Sequence, residues 1–119
     1  MPIATKRAYE PPAPEDGYRV LVDRLWPRGA KKEELRLDGW LKELAPSDEL
    51  RRWFGHDPDR WPEFRERYRQ ELSGEPQQKV VRELARRAAA GTVTLVYGAQ
   101  DERHNNAVVL AEVLAEMGD

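Results

Sequence analysis

Apolar and polar positions along this chain change their period twice. Tyr18-Arg19-Val20-Leu21-Val22-Asp23 is a short, mostly apolar run entered from Gly17. Thr92-Val93-Thr94-Leu95-Val96-Tyr97 is a second, bounded by Gly91 and Gly98. Runs of this length and β-branched content suit strands covered on both faces. Upstream, Pro11-Pro12-Ala13-Pro14-Glu15-Asp16-Gly17 is turn material that sets the first run apart from an N-terminal strand-like stretch.

Between the two strands the period becomes helical. Ser47 is placed to cap a short helix carrying Leu50, Trp53 and Phe54 on one face, with Gly55 as its stop. Asp59 is expected to cap the next helix, with Pro62 in its first turn and Trp61, Phe64, Tyr68 and Leu72 at helical spacing. Ser73-Gly74 ends it and Pro76 opens another. There Val80, Val81, Leu84, Ala85 and Ala88 form the buried stripe, and Glu83 and Arg87 are spaced to pair outside. A final helix over residues 104–117 is apolar almost all round except for Glu112 and Glu116. Strand, helices, strand, helix implies parallel strands. The predicted fold is therefore α/β, a small single domain over residues 1–119 with a mostly parallel sheet flanked by helices.

Composition narrows the function. With 119 residues the chain has room for one core, and with no cysteine it has no disulfide, thiolate metal site or cysteine nucleophile. Charged residues are 35% of the chain and mean hydropathy is −0.85. The start, MPIATKRAYE, lacks the apolar run of a signal peptide, and no stretch reaches membrane-spanning length, so a cytoplasmic protein off the membrane is expected. Twenty basic residues against 22 acidic ones leave net charge −2, without the basic excess of a general nucleic-acid binder.

In parallel α/β sheets, ligands gather outside the carboxyl ends of the strands. Both strands run there into polar clusters: Asp23-Arg24-Leu25-Trp26-Pro27-Arg28-Gly29 and Gly98-Ala99-Gln100-Asp101-Glu102-Arg103-His104-Asn105-Asn106. Neighbouring parallel strands would set Asp23, Arg24 and Arg28 across one crevice from Asp101, His104 and Asn105. Such parts suit an anion. Arg24 and Arg28 supply guanidinium forks, Gly29 allows close backbone approach, and the N–H groups opening the last helix favour a phosphate or carboxylate. Asp23 is a candidate base, paired with Arg24 or Arg28 and so kept ionised; His104 is a candidate acid or base near neutral pH. Asp101 serves equally as a helix cap. Tyr97 and Asn106 complete the candidate ligand contacts, and His56, in the turn after Trp53-Phe54-Gly55, is a further one. Trp26, between two arginines, is placed to stack on a base or sugar, while the other tryptophans read as core. His56 and His104 lack metal-site spacing, and no P-loop, GxGxxG or GxSxG motif occurs, so neither metal nor cofactor is expected.

Together, the run from Asp16 through Gly29, the Trp53-Phe54-Gly55-His56-Asp57 turn and the segment from Tyr97 to Ala107 resemble the YeaO-like family, a bacterial and archaeal domain of unknown function. The resemblance covers nearly the whole chain and implies a small cytosolic α/β domain. Larger relatives carry an Asp-Val-Arg run and a Cys-His-Arg run where this chain has Asp23-Arg24 and His104-Asn105, which implies one site built from both strand ends. This chain lacks that cysteine. The family pattern varies at 101, 104 and 106, which weighs against His104 as an essential base and for Asn105 as a binder. Three function classes follow: an enzyme or sensor for a small anionic, nucleotide-like or sugar-phosphate ligand; a nucleic-acid or regulatory module using arginines of residues 51–69; and a protein-interaction domain without chemistry. Oligomeric state is not legible.

Overall fold

A computed structural model describes residues 2–117; positions 1, 118 and 119 of the predicted domain lie outside the described residues. Four strands form one sheet in the order β1 (Ile3–Arg7), β4 (Val93–Tyr97), β2 (Tyr18–Leu21), β3 (Gly39–Trp40), and every pairing is parallel. The two strands read from the apolar runs are thus neighbours, in register from Tyr18 opposite Val93 to Leu21 opposite Val96. The Val22 N–H bonds the Val96 carbonyl at 3.0 Å, carrying the contact one residue further.

Alternation along the strands divides the core. Val20 and Val22 of the β2 segment, with Val93, Leu95 and Tyr97 of β4, face a large cluster with α2 (Asp48–Phe54), α3 (Trp61–Leu72), α4 (Gln77–Ala90) and α5 (Asn106–Met117). Leu21 and Val96 face a smaller cluster completed by Ala8 and by Leu35 of α1 (Lys32–Leu35). Both faces are covered, one by four helices and the other by a single turn of helix and loops.

The helix signals hold with local corrections. Ser47 caps α2 through the Leu50 N–H, and Gly55 ends the helix in the left-handed conformation. Asp57, not Asp59, makes the next cap: its carboxylate accepts the Asp59 N–H at the head of a 3-10 turn that leads into α3. Pro58 at the first position of that turn has no N–H to satisfy, so the cap falls two residues earlier than expected. On α4 no ion pair joins Glu83 to Arg87 among the described residues; the Arg87 guanidinium lies 3.9 Å from the Tyr18 ring centroid. An aromatic face across the element boundary competes for the same arginine. The last helix starts at Asn106 rather than His104 because Asn105 caps it, accepting the Val108 N–H at 3.1 Å. Its two acidic residues face α3, where Glu112 pairs with Arg65 and Arg69, and Glu116 with Arg69.

One buried charge cluster secures the other end of the sheet. Arg19, 4% exposed, sends Nη1 to Asp16 at 2.7 Å, and its Nε and Nη2 to the Leu35 carbonyl. Lys6 on β1 reaches the same carboxylate at 3.1 Å, and the Ala13 N–H donates to it. Next to this cluster Gly17 lies at φ +64, where an added Cβ would sit 2.3 Å from the Thr92 carbonyl oxygen. No described helix is long and apolar enough to cross a membrane.

Candidate functional site

Because all strands are parallel, the segments following β1, β2 and β4 emerge at one edge of the sheet. Between them and the loop leading into α2 lies a cleft of about 740 Å³, within the range of small-molecule sites. Its polar rim carries Arg24, Arg28, Arg51 and His56, and its floor includes Asp23, Gly98 and Asn106. Apolar walls come from Leu25, Trp26 and Pro27 on one side and Phe54 and Phe64 on the other.

Asp23 anchors the floor. One carboxylate oxygen accepts the Gly98 N–H at 2.8 Å, and the other accepts the Asn106 amide at 3.1 Å. The same amide also donates to the Val22 carbonyl at 2.9 Å, and the Asp23 carbonyl accepts the Trp40 indole N–H at 2.7 Å. A Cβ on residue 98 would stand 3.3 Å from the Asp23 carboxylate, so glycine lets the two strand ends close. The expected ion pair of Asp23 with Arg24 or Arg28 is absent among the described residues, since both arginines leave the strand end for the rim. Burial pushes the Asp23 carboxyl above its ordinary value, opposed by the Gly98 N–H, the Asn106 amide and the charge of His56. Asp23 therefore acts first as a tie between β2, β4 and α5. Asp23→Ala is expected to lower stability by about 1–3 kcal/mol, the cost of stranding buried donors, measured as a shift of the urea midpoint at constant slope.

On the rim, Arg24 and Arg51 share one carboxylate oxygen of Asp48, at 3.6 and 3.5 Å. Arg24 also reaches the Pro46 carbonyl at 3.4 Å. Arg28 is exposed and has no ion-pair partner among the described residues. Three guanidinium groups thus border one cleft with a single exposed carboxylate between two of them.

The remaining predicted contacts divide. Trp26, His56, Asp101, Asn105 and Asn106 line the cleft with Asp23, Arg24 and Arg28. His104, Tyr97 and Gly29 are not among its lining residues. The His104 ring bonds Asp101 at 2.9 Å and meets the Trp61 ring edge-on at 5.2 Å between centroids, which draws it toward α3. Asp101 holds the turn before α5 by accepting the Arg103 and His104 N–H groups, and those bonds keep its carboxyl below the ordinary range. Tyr97 is buried in the core, and its hydroxyl is pushed up chiefly by that burial. Gly29 has φ +77 and no neighbour near its Cβ direction, so it serves the turn and not a close approach. No three His, Asp or Glu side chains among the described residues converge as a metal site.

Tyr9, Leu25, Arg51, Phe54 and Phe64 were outside the predicted site. Tyr9 follows β1, whose carboxyl end opens on the same edge. That parallel placement is the signal that finds it.

The model of the inactive DUF488-N3 subclade matches residues 2–119. The uncharacterized protein YeaO of Escherichia coli is 45% identical over 117 residues, covering 98% of this chain and all of that protein. An uncharacterized protein of Mycobacterium tuberculosis, Rv3073c, is 41% identical over 112 residues, covering 94% of this chain and 92% of its own. No solved structure matches.

Proposed function

The chain belongs to the inactive DUF488-N3 subclade and is YeaO-like, and from that premise we propose that its cleft binds a small anionic ligand without turning it over. The observation that carries this reading is the set of three arginines, Arg24, Arg28 and Arg51, lining one cleft, two of them sharing the exposed carboxylate of Asp48. Guanidinium groups present planar pairs of donors that match phosphate and carboxylate oxygens.

Three points favour binding over catalysis. Both Asp23 oxygens are engaged by Gly98 and Asn106; His104 is held by Asp101 and Trp61; and the subclade is itself described as inactive. The nucleic-acid reading has a weaker electrostatic basis. Of the six arginines in residues 51–69, Arg60, Arg65, Arg67 and Arg69 are each paired with a carboxylate away from the cleft, leaving few free charges to displace phosphate counterions. A cytoplasmic setting, where phosphorylated metabolites abound, fits the cleft.

Calorimetric titration with inorganic phosphate, sugar phosphates and nucleotides tests the proposal, with hydrogen exchange as a second readout. Expected are heat of binding and protection over residues 23–28 and 98–106; neither appearing with any anion rejects it. Asp48 gives a sharper check, because its carboxylate competes for two of the three arginines assigned to the ligand's charge. Asp48→Asn is expected to tighten phosphate binding about two- to fivefold, the scale of an exposed ion pair. Weaker binding in that variant would contradict the shared-carboxylate arrangement.

A further inference from the structure

Exposed large apolar side chains are few on this surface, and they are not scattered. Tyr9, Leu25, Trp26 and Met117 are the four among the described residues, and the first three line the cleft. Leaving aromatic surface in water is unfavourable by roughly 25 cal/mol per Å², so its concentration at one opening calls for an explanation.

The two rings are also fixed. The Trp26 indole N–H donates to the Ala30 carbonyl at 2.8 Å, and its ring is braced edge-on against Trp40 at 5.3 Å. The Tyr9 hydroxyl donates to the Arg28 carbonyl at 2.9 Å, while Arg7 lies over the Tyr9 ring and holds the Ala99 carbonyl through its Nε. Each aromatic ring thus has its polar atom satisfied by backbone, yet Trp26 stays 36% and Tyr9 48% exposed. Rings held in place with surface uncovered have already lost the rotamer freedom that stacking would cost. The Trp26 loop also carries the rim arginines Arg24 and Arg28, so an aromatic wall and a cationic rim belong to the same seven-residue turn.

We infer that the ligand joins a planar heteroaromatic ring to its anionic group, with the ring seated against Trp26 beside Tyr9 and the anion at Arg24, Arg28 and Arg51. The class is a nucleoside monophosphate rather than a sugar phosphate. This inference rests on the anion-binding reading above and adds the ring. A sugar phosphate would satisfy the arginines but leave the aromatic wall in water. A ring stacked on an indole gains an increment that ring-free anions lack.

Titration of the full chain with the four common ribonucleoside 5′-monophosphates, ribose 5-phosphate and inorganic phosphate separates the two layers. At least one nucleotide is expected to bind about tenfold or more tightly than ribose 5-phosphate, the size of one stacking contact. Trp26→Leu should bring that ratio to within twofold while leaving ribose 5-phosphate affinity unchanged, and Trp26→Phe should retain most of it. If ribose 5-phosphate binds as well as every nucleotide, the ring assignment is overturned and the anion site stands. Should neither phosphate nor any of these esters bind, the anion reading falls as well. A ratio unchanged in Trp26→Leu, with the same thermal midpoint as the parent, overturns the role of Trp26.

Discussion

Asp16→Ala is expected to lower the unfolding free energy by about 3–5 kcal/mol, the usual cost of removing one partner from a buried ion pair. The substitution strands the guanidinium of Arg19, which is 4% exposed and retains only the Leu35 carbonyl. It also takes the acceptor from Lys6 and from the Ala13 N–H. Against a typical total of about 5–15 kcal/mol for a domain, the loss is large, and urea unfolding followed by tryptophan fluorescence measures it. The same carboxyl shapes the acid limb. Burial raises its affinity for protons, but the bonds from Ala13, Lys6 and Arg19 outweigh burial and hold it below the ordinary value. Since the folded value lies beneath the unfolded one, its contribution is complete above about pH 4 and is lost as pH falls through the folded value. Asp16→Asn should therefore flatten the decline of stability below pH 4; a curve parallel to the parent's would contradict the arrangement.

Gly17→Ala is the second large effect, and it arises from backbone alone. The residue lies at φ +64 and ψ −127, outside the region that side-chain-bearing residues occupy readily. A methyl group would come 2.3 Å from the Thr92 oxygen and 3.0 Å from its carbonyl carbon. Thr92 cannot yield without cost, because its carbonyl accepts the Tyr18 N–H at 2.9 Å where β2 and β4 begin. Strain and overpacking together suggest about 3–5 kcal/mol, read from the thermal or urea midpoint. A change below 1 kcal/mol would mean that the entry to β2 tolerates a different path.

These two sites also show what the sequence made legible. Gly17 stood out as the entry to the first strand, and the apolar runs after it and after Gly91 located the neighbouring strands β2 and β4. Helix punctuation was equally local: Ser47 and Gly55 read as they act. The missed elements are short. α1 has four residues and β3 two, too few for a period to emerge, and β3 is fixed by remote bonds such as the Arg19 N–H to the Asp38 carboxylate. At the cleft, the strand-end rule brought Asp23, Arg24, Trp26, Arg28, Asn105 and Asn106 to one opening. It did not foresee that Asp23 would take a backbone N–H instead of an arginine, because that choice depends on the distance between strand ends. Arg51 joins the rim through its shared bond to Asp48, and Phe54 and Phe64 line the wall through the packing of α2 and α3. Both are tertiary facts invisible to local pattern.

The strand order has a consequence for how the chain matures. β4 is the last strand to be synthesised, yet it lies between β1 and β2, which do not pair with each other. Until residues 93–97 leave the ribosome, β1 has no hydrogen-bonded neighbour and β2 has only the two-residue β3. A nascent chain at that stage carries open strand edges, the condition that exposes a sequence to misassociation. The segment that closes the sheet leads directly into Gly98 and on to Asn106, which tie down Asp23. Sheet and cleft therefore come into being in one late event, and a chain cut before β4 has neither.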